Sequence, residues 1–552
     1  MSARLSWMLV VAVVAGMSPS IALAQGHGDH GVQGAAGDGY GDRLGTVAFP
    51  SSCAAAAQPS LERGLALLHH MTYDGAHAAF AAAAAADPGC SLAAWGQAMT
   101  VIHPLWSDPP SAEAFARGHQ LAAAAQEKAT TERERAYADA VAAYFAPGQG
   151  KDERPNLAAF AAAWEEVHER FPEDPEAATL HAVTLLGTAD PSDKSYEKQK
   201  RAGAIAEGIL AKMPDHPGAH HYTIHAYDWP PLAEQAIEAA RGYGEIAPEV
   251  PHALHMPSHI FTRRGLWSES IAWNARSEAA AAEHRIDGAV SMHQLHALDY
   301  LAYAHLQRCQ DGAAREAASR MAALEEPYHA HLATAYTLAS VPARIALERQ
   351  RWADAAALKP RTPAGFPWDR FPAVEAITHF ARALGAARSG DGAAARAALA
   401  RMEALRDQAA ATSGYWADQV EIQRLAAQAW LDYGEGRRDE ALATMRQAAE
   451  KEAGTEKHPV TPGEVLPARE LLGDMLLEMG RHEEALAAYE AALERSPNRV
   501  NALWGAGRAA EALGRADAAR RHYQALLDTC AEADAGVQAE RLAHARQALA
   551  GG

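Results

Sequence analysis

The stretch PGAHHYTIHAYDWPPLAEQAIEAARGYGEIAPEV, Pro217 to Val250, is followed directly by PHALHMPSHIFTRRGLWSESIAWNAR, Pro251 to Arg276. Sliding the sequence on itself by 34 residues places Pro217 on Pro251, Tyr227 on Phe261 and Ala236 on Ser270. The same shift superposes His221 on His255 and His225 on His259. A period of 34 is that of a helix–turn–helix unit, which buries its apolar face only by stacking on its neighbours. Within each unit the two histidines are four apart, so on a helix they share one face, a turn from each other. Stacking the two units brings four imidazoles to one wall.

The rest of the chain is read outward from that wall. At 552 residues and 49% hydrophobic, the protein exceeds the size at which a single core keeps growing, so it is several domains or a repeat array. A net charge of −19 gives no basic face for nucleic acid. Arg4, the apolar run Leu9 to Ala15 and Ala22-Leu23-Ala24 read as a cleavable export signal over residues 1–24. The mature chain would then start at Gln25, in a periplasm or outside the cell. No later stretch has the ~20 uncharged apolar residues of a membrane span. Residues 25–58 read as a flexible leader, because Gln25 to Gly45 is rich in Gly, His and Asp with little to bury. Its start, Gln25-Gly26-His27, has the donors of a square-planar Cu(II) or Ni(II) site, against the plainer reading of a leader blocked by cyclisation of Gln25.

Four cysteines invite pairing in an exported chain. Cys53 precedes one expected helix and Cys90 follows its partner, so a bridge across this first hairpin is expected. Cys309 and Cys530 are far apart in any linear array and read as buried thiols.

The clearest repeat copies are C-terminal. In Arg469 to Pro497, Leu472, Gly473, Gly480, Ala485, Tyr489, Ala492 and Pro497 recur at fixed positions, and a shift of 34 meets Leu503, Gly507, Gly514, Ala519 and Tyr523. Weaker copies include Gly64, Ala76, Phe80, Ala83 and Pro88. Small residues permit close helix crossing, and the late proline ends the second helix. These motifs resemble the tetratricopeptide repeat family over most of Ser60 to Ala550. The resemblance implies an all-α fold, a right-handed superhelix of helical hairpins. The chain as a whole is similar to exported bacterial proteins of that family with a histidine-rich middle, a likeness that implies a fold and no reaction. The expected organisation is an irregular array over 59–455, a Pro-rich connector over 456–467, and a regular repeat pair with a terminal helix over 468–552.

In the family this resembles, the first helix of each unit lines the concave groove through its fifth and ninth positions. Counted from Pro217 and Pro251, those positions are His221 and His225, then His255 and His259. Ten extra residues precede the third unit, whose register gives Asp299, Tyr303 and, at the second position, His296 as further groove contacts. Neighbouring helices lie ~8–10 Å apart, near enough for inward imidazoles to share an ion at ~2.0–2.1 Å per bond. Imidazole donors suit a transition metal, Zn or Cu foremost. Pro257 between His255 and His259 removes a backbone hydrogen bond and should kink the helix, which favours a shaped site. Against this, a histidine on a helix is ordinarily structural, and His220 and His252 lack the repeat relation. Three loops, His103 to Pro110, Lys359 to Pro372 and Glu456 to Pro467, read as connectors or as rims of a site.

Three functions compete at this point. One is an exported binding protein that holds a transition metal in its groove. Another is a scaffold that captures a peptide or partner protein there without metal. The third is a metalloenzyme of unknown substrate. No His-Glu-x-x-His motif, nucleophile elbow or phosphate loop is present, so no catalytic residue is assigned, although Asp228, Asp299 and Tyr303 carry suitable groups.

Overall fold

A computed structural model describes residues 39–106, 109–150, 152–190, 192–286 and 288–550. The export signal, the start of the mature chain and the Gln25-Gly26-His27 motif lie outside the described residues. Among the described residues every regular element is a helix, and β pairing is limited to isolated bridges Ile286–Ala289 and Val290–Tyr328. Consecutive helices pack as hairpins from Gln58–His69 to Ala539–Ala550, which is an α-solenoid. No helix among the described residues is long and apolar enough to cross a membrane.

The repeat residues explain the stacking. Phe80 lies between Gly64 and Gly96, where a Cβ would come within 2.8 and 2.3 Å of its ring. Tyr489 lies in the same way between Gly473 and Gly505, at 2.7 and 2.2 Å. An aromatic on the second helix of one unit thus wedges between that unit's first helix and the next unit's. Only glycine leaves room for it. Prolines start many of the first helices (Pro175, Pro217, Pro251, Pro372), at a position whose N–H has no helical partner anyway.

Two apolar cores result, one running from Tyr40 to Phe261 and one from Val290 to Ala545. Residues 39–58, expected within a flexible leader, instead pack on the first core. Tyr40, Leu44, Phe49 and Ala57 are buried, Thr46 N–H donates to Asp215 O at 2.9 Å, and the Arg43 guanidinium donates to Glu245 O at 2.6 Å. Its few apolar residues are spaced so that each finds a socket between hairpins. Composition alone underrates such a strap.

A disulfide joins Cys53 to Cys90, with Cα atoms 4.9 Å apart. A second joins Cys309 to Cys530, which corrects the reading of these two as free thiols. That reading assumed a linear array, whereas the superhelix bends back on itself. Trp267 Nε1 donates to Asn498 O at 3.1 Å, Arg308 pairs with Glu532 at 2.7 Å, and Asp534 N–H donates to Cys309 O at 3.0 Å. The C-terminal repeats therefore lie against the middle of the chain.

The bend also fills the inside of the coil. The segment Glu456 to Pro467, expected as a connector, crosses the concave side with Val460, Thr461 and Val465 buried, and Tyr300 Oη donates to Thr461 O at 3.2 Å. Asp299 and Tyr303 therefore do not face an open groove beside the histidines. Asp299 sits 3.6 Å from the buried Arg344 guanidinium and accepts from Ser340 Oγ. Tyr303 Oη accepts from Arg499, which pairs with Glu348 and Glu470. Both belong to the polar seam between the middle and the C-terminal repeats.

Candidate metal centre

His221 and His225 stand on the helix Pro217–Tyr227, whose first turn is capped by His216 accepting from Ala219 N–H. His252 and His255 are on Pro251–His255, and His259 is on Pro257–Arg263. Pro257 divides these two short helices, where the sequence predicts a kink in one. His293 and His296 are on Met292–Gln307. The stacked first helices bring these rings together, but not as one four-histidine set. His221, His225 and His252 form one triad and His255, His259 and His296 another, each with its three donor atoms within 4.8 Å of one another. That limit takes in the roughly 3.3–4.2 Å between two nitrogens on one ion, and the pairs His255–His259 and His221–His252 stand closer still, at 2.9 and 3.2 Å. The triads adjoin, since His225 lies 6.3 Å from His259 and His252 lies 6.5 Å from His255, ring centre to ring centre.

The triads are repeat copies. Each takes the fifth and ninth positions of one unit and the second position of the next. His252 and His296 are both second residues of their units, separated by one period plus the ten inserted residues. Setting His252 aside as non-repeating is therefore corrected, and that insertion is what hid the relation. His220 stays outside the triads, its ring held by Ala239 O at 2.9 Å and Pro214 O at 2.7 Å.

The hydrogen bonds behind the rings fix which nitrogens face inward. His221 Nδ1 meets His69 O at 2.7 Å, His255 Nδ1 meets Asn274 Oδ1 at 2.8 Å, and His259 Nδ1 meets Asp228 Oδ2 at 3.0 Å. Asn274 donates through Nδ2 to Ser270 O, which turns its oxygen toward His255. All three partners are acceptors, so each Nδ1 carries the proton and each Nε2 presents a lone pair. His255 Nε2 and His259 Nε2 then face each other at 2.9 Å, lone pair against lone pair. His252 Nε2 faces His221 Nε2 at 3.2 Å. His225 Nε2 and His296 Nδ1 are buried with no hydrogen-bond partner among the described residues.

Burial governs the charge state of these rings. It pushes His221, His252, His255 and His296 well below the ordinary histidine pKa, and His225 down to about 3, with neighbouring imidazoles adding to the effect. At His259 burial also lowers the pKa, opposed by the Asp228 carboxylate. Burial alone would raise the Asp228 carboxyl, but Lys457 and Arg263 hold it well below its usual range. Neutral imidazoles backed by an ionised carboxylate, an amide and a carbonyl have the outer partners of metal-ligating histidines.

A cavity of about 80 Å³ opens over the triads, and His225, His252, His259 and His296 form part of its wall. Trp106 is also on that wall, 5.6 Å from His252 and 5.8 Å from His331, so the loop from His103 is a rim. The sequence marked the loop that carries Trp106 as a connector or a rim, while His293 was passed over because it stands at no repeat position. A third group, His69, Glu176 and His216, also has metal-like spacing but is satisfied internally. His69 bonds Glu176 and Tyr222, while His216 Nε2 meets Glu176 and its Nδ1 caps the helix.

The tetratricopeptide repeat model matches residues 470–536. No curated protein matches the sequence. Among solved structures, a monomeric mutant of IFIT1 with Gppp-AAAA aligns over 89% of this chain and 85% of its own, at 13% identity and a TM-score of 0.28. Naa15/Naa10 bound to HypK-THB aligns over 90% of this chain and 74% of its own, at 12% identity and a TM-score of 0.23. Residues 470–536 carry the tetratricopeptide repeat signature, and helical hairpins run through the described residues as a tetratricopeptide-like α-solenoid.

Proposed function

We propose that this is an exported tetratricopeptide-type protein that binds a transition metal, Zn or Cu, through the buried histidines on the inside of its coil. The observation that carries the reading is the His255–His259 pair. Both Nδ1 atoms face acceptors, which leaves two Nε2 lone pairs opposed at 2.9 Å. A cation between them relieves that opposition, and burial disfavours a proton in the role, against the pull of Asp228 at His259. His221, His225, His252 and His296 supply further donors of the same kind. Export rests on the N-terminal signal pattern and is consistent with two disulfides. Proteins of this repeat class commonly bind peptides or proteins, and a partner remains compatible with metal uptake.

The test is elemental analysis and chelator-competition titration of the full chain with Zn and Cu, beside the His255→Ala/His259→Ala double variant. Tight uptake in the wild type, reduced at least 100-fold in the variant with unchanged helical content, is the expected outcome. If the wild type takes up no metal, the histidines are contacts for a peptide or protein partner and the scaffold reading replaces this one.

A further inference from the structure

Resting on that metal reading, we infer that the two triads hold two ions side by side and that the cavity over them binds a small anion shared by the pair. The repeat relation is the first ground. A donor set copied at the same positions of successive units offers three imidazoles twice, so each triad has the ligands for an ion of its own. The ring spacings across the seam, 6.3 and 6.5 Å, are close to the 6.3 Å between His259 and His296 inside one triad. The six rings form one continuous cluster.

Charge balance is the second ground. All six donors are neutral imidazoles. The carboxylate behind them, Asp228, is already engaged by Arg263 at 2.8 Å and Lys457 at 3.4 Å. Two dications a few ångströms apart repel strongly among buried rings, where the effective dielectric is low. Neither imidazole nor the described cavity wall, which contains no carboxylate, offsets that repulsion. An anion between the ions does.

The cavity supplies the place. Its volume of about 80 Å³ is several times the roughly 10–15 Å³ that admits one water. Two histidines of each triad border it, so a ligand inside reaches both ions. Three protein donors per ion leave a coordination position open, as at catalytic rather than structural zinc sites. Trp106, Met256, Met292 and Val460 stand on the remaining wall with His331 and His458, and the volume limits the occupant to a few heavy atoms. His293, also on this wall, lies 5.5 Å from His252 and is placed to hydrogen-bond the anion.

The experiment loads the full chain with Cu(II), counts bound ions, and titrates with azide while following ligand-to-metal absorption and electron paramagnetic resonance. Two ions per chain and one azide per pair are expected, with loss of resonance intensity from magnetic coupling. His252→Ala and His296→Ala should each bind one ion and lose the coupling. The wild-type count and azide titration stand even if a variant fails to fold. One ion per wild-type chain overturns this inference and leaves metal binding intact. No bound ion overturns both. Two ions whose spectra do not respond to azide overturn the shared-anion site.

Discussion

An imidazole has two nitrogens and, when neutral, one proton, so the partner of one nitrogen decides what the other can do. Asn274 is the clearest lever of this kind. Its oxygen holds the His255 Nδ1 proton and its own Nδ2 is held by Ser270 O, so His255 has one available orientation and one inward lone pair. Outer partners of metal-bound histidines are typically worth 10–100-fold in affinity. Asn274→Leu should weaken metal binding by that factor with little change in helical content. Asn274→Asp, which keeps an acceptor at the same place, should stay within a few-fold of wild type. Chelator-competition titration of the three proteins gives the answer. Leucine at 274 with wild-type affinity would mean that His255 is not held by this contact when metal is bound.

At the scale of the helix, the sequence makes some positions plain and hides others. The 34-residue offset showed His221, His225, His255 and His259 because identical residues recur at identical spacing. His252 was missed because its counterpart lies beyond an insertion, and the wall divides into triads only once helices are stacked. Asp299 and Tyr303 were misplaced because groove positions are solvent-facing only where nothing fills the groove, and here Gly463 lies against Tyr303. The regular pair at the C-terminus was legible throughout, and its packing carries a pH dependence. Burial, and the neighbouring Glu470 charge, push the Asp474 carboxyl on the helix Ala468–Glu478 up to about 7, while Tyr489 Oη donates to it at 2.6 Å. A carboxyl with a raised folded pKa favours the folded state below its unfolded pKa of ~3.9. That contribution is lost as pH rises through about 7. Asp474→Asn removes the ionisation but keeps an acceptor for Tyr489. The variant should be more stable than wild type at pH 8 by about 1–2 kcal/mol, a figure reduced for the partial exposure of this group. It should show no gain near pH 4. Denaturant melts at the two pH values read this directly, and an equal effect at both would remove ionisation as the cause.

For the whole molecule, the decisive feature is that the solenoid does not run straight. A linear array spreads its repeats so that each touches only its neighbours, and stability is then a sum of local terms. Here Cys309–Cys530 spans 221 residues of sequence, and the buried Arg499 ties Glu348 and Tyr303 of the middle to Glu470 of the C-terminal repeats. The closure presses Glu456 to Pro467 onto the helix that carries His296 and Tyr300, and so forms one side of the cavity over the histidines. In the chain-entropy picture a bridge over a loop of this length stabilises by about 5 kcal/mol, against about 4 kcal/mol for the shorter Cys53–Cys90 loop. Arg499 and its partners still hold the seam without the bridge. The Cys309→Ala/Cys530→Ala variant should therefore fold, but with the C-terminal repeats opening before the first core. Hydrogen exchange should show lost protection in residues 468–550 and in the 456–467 segment, while the helices from Gln58 to Tyr227 stay protected. Metal affinity should fall along with that protection, since Val460 and His458 border the cavity. Thiol counting on the denatured, unreduced wild type comes first, with none expected free. Two free thiols there, or a variant whose C-terminal repeats exchange at the wild-type rate, would mean that the closure does not depend on this bridge.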